Sequence, residues 1–119
     1  MPPPSHLAIA TSSVLRLLKE EGSYYKELAM EESKAKALED RIKGGQADAD
    51  GNDEYMLKQR QQAIEETKAI FGPLRQRIAD AVAKLEEQIA VREEAGAPEE
   101  EMQKAKDALA QAKADTNGA

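Results

Sequence analysis

The sequence predicts an all-α fold: an elongated antiparallel three-helix bundle, with two long helices and a shorter third packed in coiled-coil fashion. Three observations predict it. The composition is dominated by helix formers, an apolar residue recurs every seven positions in two separate stretches, and most breakers fall between those stretches. Residues 1–119 are read as one helical-bundle domain, with helices over about 7–43, 53–94 and 98–114 and frayed termini.

Ala, Glu, Lys, Leu and Arg supply 64 of the 119 residues, whereas Leu, Ile, Val and Phe supply only 20. With a net charge of −6, the second count approaches the region where chains cannot bury enough apolar surface to fold. The first marks long helices, which need only a narrow apolar seam. Periodicity decides between the two. A heptad numbered from Leu7 places Leu7, Val14, Glu21, Leu28, Ala35 and Ile42 at its first position. Ala10, Leu17, Tyr24, Glu31 and Leu38 take the fourth, so the seam is apolar with polar faults near its middle. Gly44 and Gly45 stop this helix, and Arg41 and Lys43 in its last turn face the negative end of the dipole. Its start is open between Ser5 and the run Thr11, Ser12, Ser13.

The connection "GGQADADGN" is polar and has no strand character. Asn52 is placed to cap the second helix, with Asp53 and Glu54 in its first turn. Leu57, Ile64, Phe71, Ile78 and Leu85 then recur without a miss, and Leu74, Ala81, Val82 and Ile89 widen the same face. Gly96 suits a left-handed cap, and Pro98 the first position of a third helix carrying a thin stripe of Met102, Ala105, Leu109 and Ala112. So short a connection makes the long helices antiparallel neighbours, pairing residues whose numbers add to about 95. The third helix reaches back only to about Ile78, leaving two strands toward Gly44.

Gly72 and Pro73 interrupt the most regular stretch of the chain. Proline removes a backbone hydrogen bond and clashes with the carbonyl of Ala69, so a bend is expected near the level of Gly22. Tyr24 and Tyr25 fall opposite, and Gly72 is read as leaving them space.

Chemistry is sparse. The absence of cysteine removes disulfides and thiolate metal sites. His6 is the lone histidine, and the adjacent Ser5 cannot face it as a nucleophile. The acids around Asp48 fail the calcium-loop pattern, because Gly51 is fourth rather than sixth and Gln59 occupies the twelfth position. An enzyme is not expected, nor is a cofactor or metal. The acidic balance argues against nucleic acid, and scattered basic residues offer no membrane anchor. The start "MPPPSHLAIA" lacks the basic and apolar regions of a signal peptide, and a cytoplasmic protein is expected.

What remains is a binding surface. Met56, Ala63 and Ile70 form a stripe beside the main seam, which turns polar at Arg77 and Lys84 before Val91. Tyr25 and Met30 lie in the same thin half on the first helix. These five residues are the candidate partner-binding set, since exposed apolar width on a monomer suggests a partner. Self-association into a homodimer and single exposed side chains of no consequence are the competing readings.

The stretch "TSSVLRLLKEEGSYYKE" resembles the signature of the tubulin-folding cofactor A family through Thr11, Val14, Arg16, Leu17, Lys19, Glu20, Tyr24, Lys26 and Glu27. A second block, "YMLKQRQQAIEETKAIFGPLRQRI", is similar to the family's second helix at Tyr55, Lys58, Ile64 and Glu66 and in its proline interruption. The resemblance runs from about Ile9 to Ile89; the third helix matches weakly and the Pro-rich start departs. It implies a cytoplasmic, cytoskeleton-associated chaperone without catalytic activity or cofactor, which receives β-tubulin from the cytosolic chaperonin. Such a protein holds β-tubulin near-native for the other tubulin-folding cofactors, which assemble the αβ heterodimer; both are implied partners. A prefoldin subunit would need strands between its helices, which "GGQADADGN" does not offer. The remaining alternative is a generic coiled-coil tether or dimeric scaffold with no tubulin preference.

Overall fold

The computed structural model describes residues 3–46 and 51–118, with side chains to 115. Residues 47–50, which carry Asp48 and Asp50 of the rejected calcium-loop pattern, lie outside them. The described residues form three helices and no strand: α1 His6–Lys43, α2 Asn52–Ala95 and α3 Glu99–Gly118.

The caps follow from the residues at each end. Ser5, rather than Thr11 to Ser13, opens α1: its Oγ accepts the Ala8 amide at 3.0 Å and its carbonyl the Ile9 amide at 2.9 Å. Thr11 sits inside the helix instead, its hydroxyl donating to the Leu7 carbonyl at 2.8 Å. At the other end Gly45 takes a φ of +74°, which an L side chain resists. The Gln46 amide then reaches the Arg41 carbonyl and the Gly45 amide that of Ile42, a complete Schellman motif. Gly96, at φ +86°, ends α2 with the simpler left-handed cap, its amide on the Arg92 carbonyl at 2.8 Å.

The bounds of α1 and α2 hold to within one residue of those expected, and both bounds of α3 shift. Pro98 lies one residue before α3, and its carbonyl receives the first helical bond, from Met102 at 3.1 Å. At the far end α3 runs to Gly118 instead of 114, because no proline or earlier glycine interrupts it.

The helices divide into two compact units. Met1–Glu20 and Leu74–Ala119 form the first, in which segments of α1 and α2 meet α3. Its core takes Leu7, Val14, Leu17 and Leu18 from α1, and Leu74, Ile78, Leu85 and Ile89 from α2. From α3 come Ala105, Ala108 and Ala112. Of the expected stripe, Ala105 and Ala112 are buried while Met102 and Leu109 are half-buried at its edges, and Ala108 joins the buried set. Small side chains let the α3 backbone approach closely, and the larger ones straddle the contact. Glu101 accepts a hydrogen bond from the Ser5 hydroxyl, and Lys106 pairs with Glu93 at 3.3 Å.

The second unit, Glu21–Pro73, contains α1 and α2 alone. Its buried apolar residues are Ala35, Ile64 and Phe71, beside the polar Glu21, Asp53 and Thr67. Each large buried apolar side chain contributes about 1.5–3 kcal/mol, so this unit has far less to hold it than the first. Polar ties compensate. The Thr67 hydroxyl lies 3.0 Å from a carboxylate oxygen of Glu31, so one seam fault is satisfied by the opposite helix. Arg41 Nε lies 3.1 Å from the Asp53 carboxylate beside the connection. Tyr24 meets Phe71 edge-on at 6.4 Å, and Tyr25 stacks on it at 4.5 Å. The Arg41–Asp53 and ring pairs obey the antiparallel register of about 95, and Thr67–Glu31 is a diagonal neighbour at 98.

One expectation needs correcting. Gly72 faces solvent, and a Cβ added there meets nothing within 4 Å. Tyr24 and Tyr25 pack on Phe71 and do not need the space that Gly72 leaves. α2 is continuous through Pro73.

Candidate functional site

In the second unit, Met56, Ala63 and Ile70 each precede a heptad core residue by one position, namely Leu57, Ile64 and Phe71. Repeating every seven residues, they form a row along one edge of the α1–α2 seam. The Thr67–Glu31 pair fixes what stands across from them. One turn away in either direction, the register sets Glu27 beside Ile70 and Lys34 beside Ala63. Met30 belongs to the outer shoulder of that same edge of α1. Met30 is 53% exposed, Met56 39% and Ile70 37%, while Ala63 is half-buried. Geometry therefore groups four of the five candidate residues.

Tyr25 stands apart. It follows the core residue Tyr24, which puts it on the opposite edge of the seam, where its ring is stacked on Phe71 with 28° between planes. Part of its surface is thus committed to the protein's own packing, although 39% of it stays open.

The electrostatics of this unit are those of a solvated helix pair. Lys43 donates to Glu39 at 2.7 Å, and that hydrogen bond raises its pKa, so it stays charged at neutral pH. Among the described residues no group of three His, Cys, Asp or Glu side chains is placed to hold a metal ion. No described helix is long and apolar enough to cross a membrane. Sequence reasoning missed Ile9 in the first unit, which is 50% exposed. Its outward heptad position, two residues after the core Leu7, was the available signal.

The fold and this row define an all-helical scaffold that carries an exposed apolar strip. Residues 2–109 match the family described as tubulin binding cofactor A, and the chain belongs to that family. The match takes in the Pro-rich start and half of α3, which the sequence motifs alone did not reach. Among solved structures, the chain is similar to tubulin folding cofactor A from Arabidopsis thaliana, at 30% identity and a TM-score of 0.76. That likeness covers 90% of this chain and 92% of the other. A search of curated proteins finds no match. Family and fold support a tubulin-folding chaperone role, in a family that is not one of enzymes.

Proposed function

We propose that this protein is a cytoplasmic β-tubulin chaperone, which holds near-native β-tubulin after its release from the chaperonin until the αβ heterodimer is assembled. The observation that carries this reading, beside the family, is the apolar row of Met56, Ala63 and Ile70 with Met30 on its shoulder. It lies in the unit that α3 does not enter. A folding intermediate of a subunit exposes apolar surface that its missing partner will later cover. A rigid helix pair offering a narrow apolar strip shields such surface by burial, at about 25 cal/mol per Å², without needing nucleotide. The charged residues along the strip, Glu27 and Lys34, limit how strongly it holds and so favour release. Tyr25 offers a second contact on the opposite edge, and other tubulin-folding cofactors are the receiving partners.

The test is native-gel capture of newly released β-tubulin with nucleotide removed, run beside α-tubulin and the assembled heterodimer. Selective capture of β-tubulin is expected. Equal capture of both subunits, or a strict requirement for ATP, overturns the reading.

A further inference from the structure

The described residues hold three of the chain's four methionines, and the chain has no cysteine. Its sulfur chemistry therefore rests on thioethers, with no thiol of its own to take up an oxidant first. Met102, on α3 in the first unit, is half-buried. Met30 and Met56 are exposed, and both belong to the apolar row of the second unit. Of the four residues that geometry groups there, these two can be oxidised, whereas the hydrocarbon side chains of Ala63 and Ile70 are inert to peroxide.

Neither side chain is part of the buried core, so folding does not depend on its apolar character. Lys26 and Lys34 stand four residues to either side of Met30, on its own face of α1, and both are exposed. Arg60 stands in the same relation to Met56 on α2. A new acceptor oxygen on either sulfur therefore has water or a cationic donor within reach in the free protein. Leucine at either place would be as apolar and would not respond to an oxidant.

We propose that Met30 and Met56 are oxidation sites, whose reversible conversion to the sulfoxide by hydrogen peroxide switches off the apolar row as a partner surface. This rests on the β-tubulin reading of that row. In the step, the thioether sulfur gives a lone pair to one peroxide oxygen and the O–O bond breaks. The departing hydroxide takes the proton from the new S–OH group and leaves as water. Sulfur is oxidised and the peroxide reduced, by one electron pair. The product replaces a flexible apolar group with a strong dipole. In the free protein that dipole is solvated. Pressed against the apolar surface of a bound chain it has no donor, and burial without one is unfavourable. Fold and capture thus respond differently: the helix pair keeps its core, while the strip loses two of its four apolar members. Methionine sulfoxide reductases, one for each sulfoxide epimer, restore the thioether.

The full chain is given a timed pulse of hydrogen peroxide, which catalase ends before any β-tubulin is added. Peptide mass mapping is expected to show one added oxygen on Met30 and on Met56 ahead of Met102, with the thermal melt unchanged. Capture of newly released β-tubulin should then weaken about ten-fold, and return after treatment with the two reductases. Met30→Leu/Met56→Leu keeps apolar volume at open positions, and should capture like the untreated protein and hold that capture through the pulse. Met30→Gln/Met56→Gln, which places a polar amide at each site, should capture as poorly as the oxidised form with no peroxide at all. Undiminished capture by protein oxidised at both sites overturns the proposal. So does an equal loss in the leucine variant, or a melting temperature that falls together with capture. Failure of the untreated protein to capture β-tubulin is a different result, which overturns the tubulin reading itself and this proposal with it.

Discussion

Tyr25 lies stacked on Phe71 with ring centroids 4.5 Å apart, so a residue expected to face a partner is also a cover for the core of its own unit. Stacked aromatic pairs contribute about 0.5–1.5 kcal/mol beyond their area, and Phe71 is the one aromatic buried there among the described residues. Phe71→Ala is therefore expected to cost about 3–5 kcal/mol and Tyr25→Ala about 1–2 kcal/mol. Met30→Ser, at an open position, should cost under about 0.5 kcal/mol. Urea titrations of the three variants check the order. A Tyr25→Ala protein as stable as wild type, yet poor at capturing β-tubulin, would assign Tyr25 to the partner alone.

The two faces of α2 separate in the same way. Ile78 is buried against the first unit's core, and Ile78→Ala is expected to lose about 2–5 kcal/mol. Ile70 is open, and Ile70→Ser should leave stability within about 0.5 kcal/mol while weakening capture of β-tubulin. Thermal melts and native-gel capture are read side by side. Large, similar losses of stability would make the Met56–Ile70 row core and end its candidacy.

How far the sequence reached depends on side-chain size. Leu57 to Leu85 were legible because a large apolar residue every seventh position has one physical meaning. On α3 the expected Ala105 and Ala112 are buried, but Ala108 lies deeper than its neighbour Leu109, because alanine-rich helices carry little apolar contrast and close approach rewards the smaller residue. Leu18 was missed because it falls at neither the first nor the fourth heptad position, yet it is buried. The row of Met56, Ala63 and Ile70 was visible from spacing, and so was the level of Tyr25 across from Phe71 and Gly72, but its stacking was not. A heptad gives the edge a residue occupies; only the structure shows a ring turning back over Phe71.

Near the connection, Arg41 ties both ends of the turn: its Nε lies 3.2 Å from the Gln46 carbonyl and 3.1 Å from the Asp53 carboxylate. The Asp53 side chain is only 10% exposed, so Arg41→Ala removes a positive charge from beside a carboxylate that water reaches poorly. Arg41 is half exposed, and that screening brings the expected cost of Arg41→Ala down to about 1–2 kcal/mol. Hydrogen exchange should show faster opening at the start of α2 and unchanged protection around Leu85. Uniform loss of protection along the chain would mean that the two units open together.

Gly72 and Pro73 make the sharpest test, because stability and binding are expected to move in opposite directions. With open space around the added Cβ and no positive φ at Gly72, Gly72→Ala is expected to stabilise by about 0.8–1 kcal/mol. Pro73→Ala restores a donor to the Ala69 carbonyl and adds up to about 3 kcal/mol on peptide scales, less once tertiary contacts are counted. Ile70 lies in the turn that the proline leaves short of one hydrogen bond, at the end of the apolar row. Restoring that bond re-aims Ile70 relative to Met56 and Ala63. The double variant should therefore melt higher yet capture less β-tubulin. Melting temperature reports the helix and native-gel capture reports the surface, so the two effects cannot be confused. A more stable variant with undiminished capture would show that the glycine and proline are a tolerated fault in the helix, without a part in binding.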